Sequence, residues 1–74
     1  MAQTFGEKAV GYSFNPSNLD TVSIIKSQFA TIIDSLNSLR STSPDSEIKR
    51  MLSVAITESQ TAQMWAVKAM TWEM

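Results

Sequence analysis

Few side chains in this sequence could do chemistry: Lys26, Tyr12 with the polar residues around it, and a scatter of carboxylates. The 74-residue chain has no histidine and no cysteine. Histidine is the commonest general base and metal ligand, and Ser–His and Cys–His nucleophile pairs depend on it. Lack of cysteine removes disulfides and thiolate metal sites. Asp34, Asp45, Glu47 and Glu58 do not pair at a spacing that suits an acid–base dyad, so they read as solvated or helix-capping groups. Neither a metal site nor a cofactor is expected, and a non-enzymatic role is favoured.

The run Gly11-Tyr12-Ser13-Phe14-Asn15-Pro16-Ser17-Asn18 is rich in turn formers, and Asn15 before Pro16 favours an extended or turn conformation. Two aromatics so close together argue for an ordered loop rather than a floppy tail. Tyr12 fits either of two roles there. It can pack as a lid on the helices, or stack on a purine face for about 1–3 kcal/mol, with Ser13 and Asn15 adding polar contacts. Lys26 also has two readings. A lone helical lysine usually faces solvent, but an oligomer that brings two copies together makes a paired phosphate clamp. Thr57 and Thr61 suit back-bonding to their own helix.

These residues need elements to hold them. Ser17 or Asn18 is a good N-cap, and Asp20 suits a first helical turn. Val22, Ile25, Phe29, Ile32, Leu36 and Leu39 then alternate spacings of three and four, the pattern of a heptad seam, widened by Ile24 and Ile33. A first long helix is predicted over 18–40. Ser41-Thr42-Ser43-Pro44 interrupts it. Ser43 as N-cap, Pro44 at the first helical position and Asp45 and Glu47 in the first turn predict a second helix over 44–72. So short a connection makes the two antiparallel neighbours. Residues 1–17 are left as an ordered N-terminal loop or short helix, which Glu7-Lys8-Ala9-Val10 would permit.

The second helix carries two apolar stripes. One runs through Ile48, Leu52, Ala55, Ala62, Ala66 and Ala69; the other through Met51, Val54, Thr61, Trp65 and Trp72, with Met64 nearby. Trp65 and Trp72 with Met64 and Met70 read as an interface rather than a cofactor surface. A hairpin partner covers one stripe, so another chain must supply the second surface. A single domain over 1–74 is also near the size where one core barely suffices. The expected class is all-α: an antiparallel helical hairpin that assembles into a homo-oligomer. A net charge of −1 gives no basic footprint for a nucleic-acid polymer. No apolar run is long enough for a membrane span, and no signal-peptide core is evident, so a soluble, cytoplasmic protein is expected.

The order of motifs resembles the phage anti-CBASS and anti-Thoeris hairpin proteins, which are small cyclic-nucleotide sponges. The resemblance rests on the Gly11-Tyr12 loop, the Ile24-Ile25-Lys26 turn, the short linker and the closing Gln63-Met64-Trp65-Ala66-Val67-Lys68-Ala69-Met70. It spans residues 10–72. It implies an interlocked homo-oligomer, typically a hexamer, in the host cytoplasm. Pockets shared between protomers would hold cyclic dinucleotides such as cyclic GMP–AMP without cleaving them, so that the CBASS effector is not activated. Tyr12 matches the family's base-stacking tyrosine and Lys26 its phosphate-pairing lysine; Gly11, Ser13 and Asn15 accompany them. Thr57 aligns with a threonine beside a second site for cyclic trinucleotides. There Ile56 stands where arginine is common and Gln28 replaces a small hydroxyl residue, which argues against trinucleotides. Two alternatives are a sponge for the cyclic ADP-ribose isomers of Thoeris signalling and a structural or adaptor hairpin with no ligand.

Overall fold

Thr4 opens the first helix by a reciprocal exchange of hydrogen bonds. Its Oγ1 accepts from the Glu7 N–H at 3.0 Å, and its own N–H donates to Glu7 Oε1 at 2.8 Å. This capping box satisfies two donors that a helix start otherwise leaves unpaired. The computed structural model describes residues 3–11 and 21–72. It contains α1 (Phe5–Val10), α2 (Thr21–Thr42) and α3 (Ser46–Met70), with no strand among the described residues. The arm before the hairpin therefore holds a short helix. Gly11 closes it at φ 69° and ψ 34°, a left-handed conformation that glycine adopts without a Cβ penalty.

The expected cap at Ser17 or Asn18, and a helix start at Asn18, lie outside the described residues. At its other end α2 continues through Thr42 instead of stopping at Arg40. Ser41 and Thr42 donate their hydroxyls to the carbonyls of Asn37 and Ser38, which lets the helix carry them. Pro44 then disfavours helical backbone at Ser43 and ends α2.

The cap of α3 is Asp45, not Ser43. Asp45 Oδ1 accepts from the N–H groups of Glu47 at 2.8 Å and Ile48 at 3.3 Å. Ser43 Oγ accepts only from the Asp45 N–H, at 3.3 Å. A carboxylate serves two donors and answers the positive end of the helix, so it displaces the hydroxyl two residues earlier. Pro44 thus precedes the cap, α3 starts at Ser46, and Thr71 and Trp72 form a closing turn. Asp45→Ala is expected to cost about 1 kcal/mol in urea denaturation and Ser43→Ala much less; the reverse ranking would restore Ser43 as the cap. One turn on, Arg50 Nε donates to Glu47 Oε1 at 3.0 Å and holds the Glu47 carboxyl below its ordinary value. The contribution of this exposed pair is small. It is complete above that ordinary value and is lost as the pH falls through the lowered one.

The two long helices are antiparallel. Arg40 of α2 donates to Ser53 of α3, while Ile33, earlier in α2, lies in one cluster with Ile56, later in α3. That cluster is the buried core: Val10, Ala30, Ile33 and Ile56, with Ala9, Phe29 and Leu36 packed against it. The expected seam of α2 is rotated. Ile32 is 51% and Leu39 57% exposed, whereas Ile33 is wholly buried. On α3, Ile48 of the first expected stripe is exposed, and the inward line runs instead through Ser53, Ile56, Gln60 and Gln63. The cause is α1, which packs mainly on α2. Its close seat on Ala30 and Asp34 fixes the rotation of α2, and a two-helix reading contains no such constraint.

The second stripe of α3 is open as expected: Met51, Val54, Met64, Trp65 and Trp72 are all exposed, with Ile24, Ile32 and Leu39 on α2. The molecule is a thin slab of 43 × 28 × 12 Å with a radius of gyration of 13.6 Å. A compact domain of this length would have about 11 Å. A slab this open leaves apolar surface that the chain does not cover itself. Among the described residues, no helix is long and apolar enough to cross a membrane.

Candidate functional site

Lys26 lies in the second turn of α2, half-buried, and its Nζ reaches the carbonyl of Gly11 at 3.5 Å. That is the long end of hydrogen bonding, but it places the two ends of the predicted site together across fifteen residues of sequence. Gly11 is where α1 stops, directly before Tyr12 in the sequence. Its left-handed turn lets its N–H return to the Lys8 carbonyl at 3.3 Å, which leaves its own carbonyl for Lys26. An ammonium has three donors, so this contact does not use up its capacity.

Four features hold α1 in place. The Gly6 N–H donates to Asp34 Oδ1 at 2.7 Å, a bond spanning 28 residues. A Cβ on Gly6 would overlap the Ala30 carbonyl, so the backbones touch there and only glycine fits. At the far end of α1, Gln60 Nε2 of α3 donates to the Ala9 carbonyl at 3.4 Å. Arg40 joins the pieces: its guanidinium lies 5.5 Å from the centre of the Phe5 ring and donates to Ser53 at 3.0 Å and Asn37 at 2.8 Å. A planar fork with several fixed donors can hold three elements at once, which a lysine could not.

Gly11 and Lys26 are thus brought together, while Tyr12, Ser13 and Asn15 lie outside the described residues. Thr57 is exposed on α3, and its carbonyl accepts the Thr61 hydroxyl at 3.1 Å. Thr61 therefore makes the back-bond that its place in a helix suggests. Ile56 is one of the four buried apolar residues among those described, so the position where the family resemblance expects a cation is here part of the core. Gln28 is exposed. No group of three or more acids that could hold a metal occurs among the described residues.

Sequence alone gives Gly6, Phe5, Arg40 and Gln60 no role. Asp34, a solvated or capping group by its sequence surroundings, does cap a helix, though one distant in sequence. The Thr4–Glu7 spacing is a recognisable helix-start signal that points to α1. At the open end of the hairpin, where α2 begins and α3 ends, Lys68 Nζ lies 5.5 Å from the Trp65 ring centre and 6.0 Å from that of Trp72. Met64, Trp65 and Lys68 line a shallow depression there of about 280 Å³.

The family model described as "Acb2/Tad1, hairpin domain" matches residues 7–71 of the chain. No curated protein and no solved structure matches it significantly.

Proposed function

The chain belongs to the Acb2/Tad1 hairpin family, and on that premise we propose that it is a phage anti-defence sponge. It binds cyclic dinucleotides such as cyclic GMP–AMP in the host cytoplasm and withholds them, uncleaved, from the CBASS effector. Copies of the chain form a homo-oligomer, a hexamer by family resemblance, and the ligand sits where protomers meet. Lys26 pairs with a phosphate, Tyr12 stacks on a base, and Gly11, Ser13 and Asn15 border the pocket. Cyclic trinucleotides are disfavoured, because Ile56 fills the core where a cation would be needed.

The observation that carries this reading is the Lys26–Gly11 contact. Lys26, the candidate phosphate partner, touches the residue that precedes Tyr12 in sequence, and the chain has no histidine or cysteine. Support for assembly comes from the ten large apolar side chains left exposed among the described residues of so small a molecule. Withholding a scarce messenger needs roughly nanomolar affinity, near −12 kcal/mol. A pocket closed by two chains reaches that by pre-organisation.

Calorimetry with cyclic GMP–AMP tests it. The wild type is expected to bind at nanomolar concentrations, and Tyr12→Ala and Lys26→Ala each at least tenfold more weakly. Equal affinity in all three rejects the assigned roles. The same titration with cyclic ADP-ribose isomers decides between the two messenger classes. A melting temperature indifferent to every nucleotide would favour a ligand-free adaptor, because a ligand that binds only the folded state must raise it.

A further inference from the structure

We propose that α1 is a positioning latch for the ligand site: its seat on Ala30 and Asp34 sets the place of Gly11, and through it the orientation of the Lys26 ammonium. The proposal rests on the ligand site described above and names residues that touch no ligand. Asp34 and Gly6 are positioning residues.

The case is geometric. A lysine side chain ends in a flexible point charge on a four-carbon stem, and its many rotamers must be narrowed before it can meet a phosphate at a fixed place. The Gly11 carbonyl supplies that constraint, at 3.5 Å from Nζ. Gly11 is itself placed by α1, which is short and closed at both ends: a capping box at one and a left-handed glycine at the other define six helical residues. What remains free is how that rod lies on the hairpin. Gly6 determines this at one end, by a bond to Asp34 at 2.7 Å and a backbone contact with Ala30 that admits no side chain. Gln60 and buried Val10 determine it at the other. Gly6 and Gly11 bracket the rod, so a shift at the Gly6 seat swings the Gly11 carbonyl away from Lys26.

A six-residue helix has no stability of its own. Its order therefore comes from docking on the hairpin, and the affinity of the ligand site is scaled by the docked fraction. Gly6→Ala forces the backbone off Ala30. Asp34→Ala removes the acceptor, whereas Asp34→Asn keeps an oxygen that can accept the same N–H. The first two should lower the docked fraction, and the third should largely restore it.

Two readouts test this on the full chain. The first is acetylation of Lys26 by an N-hydroxysuccinimide ester without ligand, read by mass spectrometry against exposed Lys49 in the same molecule. Lys26 should react more slowly than Lys49 in the wild type and in Asp34→Asn, and approach the Lys49 rate in Gly6→Ala and Asp34→Ala. The second is the affinity for cyclic GMP–AMP, expected to weaken roughly tenfold or more if docking falls below about one molecule in ten, with helix content and oligomer mass unchanged. If Gly6→Ala does not fold, the Asp34→Ala and Asp34→Asn pair decides. An unchanged Lys26 rate in a folded variant whose α1 amides exchange freely overturns the latch. A wild type that binds no cyclic dinucleotide overturns the functional reading instead, and the acetylation ratio still decides the latch.

Discussion

Replacing Ile33 by alanine should bring an isolated chain to the edge of unfolding. Ile33 is the largest wholly buried side chain, in a core of four buried apolar residues among those described. Truncating a buried isoleucine to alanine costs about 2–5 kcal/mol, through lost burial and the cavity left behind. A domain of this length has in total roughly 4–11 kcal/mol, at about 0.05–0.15 kcal/mol per residue. Urea denaturation followed by circular dichroism is the check, with Ile32→Ala beside it. Ile32 is the adjacent residue in sequence but is 51% exposed, so at high dilution its truncation should cost well under 1 kcal/mol. If the Ile32 variant proved the weaker of the two, the rotation of α2 described above would be wrong. An Ile32→Ala loss that grows with protein concentration would instead show that this face is covered by another copy.

The second large effect concerns assembly. Trp65 is 66% and Trp72 72% exposed, continuing a stripe that begins at Met51 and Val54. A tryptophan buried at a contact between chains removes about 150–250 Å² from water, and such residues commonly account for about 2 kcal/mol or more of binding. In the proposed homo-oligomer the loss would recur at each such contact. Trp65→Glu should therefore leave the fold of the single chain intact, since the side chain touches little within it, and convert the assembly to monomers in analytical ultracentrifugation. Ligand affinity should fall with it if the pocket is shared between protomers. An unaltered sedimentation coefficient would remove this stripe from the interface.

The long helices are legible in the sequence because apolar residues alternating three and four apart, as from Val22 to Leu39, match the period of a helix and not that of a strand. Which stripe faces inward is not legible. α2 has enough isoleucine, leucine and valine for two adjacent faces, and Ile32 and Ile33 fit a seam equally well until α1 is placed. The Gly6–Asp34 bond joins residues 28 apart, and no periodicity reports a contact between a six-residue helix and the middle of another. The start of α3 falls two positions later than the cap signals suggest, because Ser43 and Asp45 are both good caps flanking one proline. Only the geometry shows that the carboxylate reaches two N–H groups. Of the candidate site, the sequence alone gives Lys26 as a lone helical lysine, which usually faces solvent, and Gly11 as one member of a turn-rich run; their contact is not legible.

Native mass spectrometry of the wild-type protein mixed with cyclic GMP–AMP tests the central claim in one spectrum. The expected peaks are a multiple of the chain mass carrying whole messenger molecules, released unaltered when the protein is denatured. A single chain with no adduct would contradict both the assembly and the binding, and a messenger recovered in pieces would contradict sequestration.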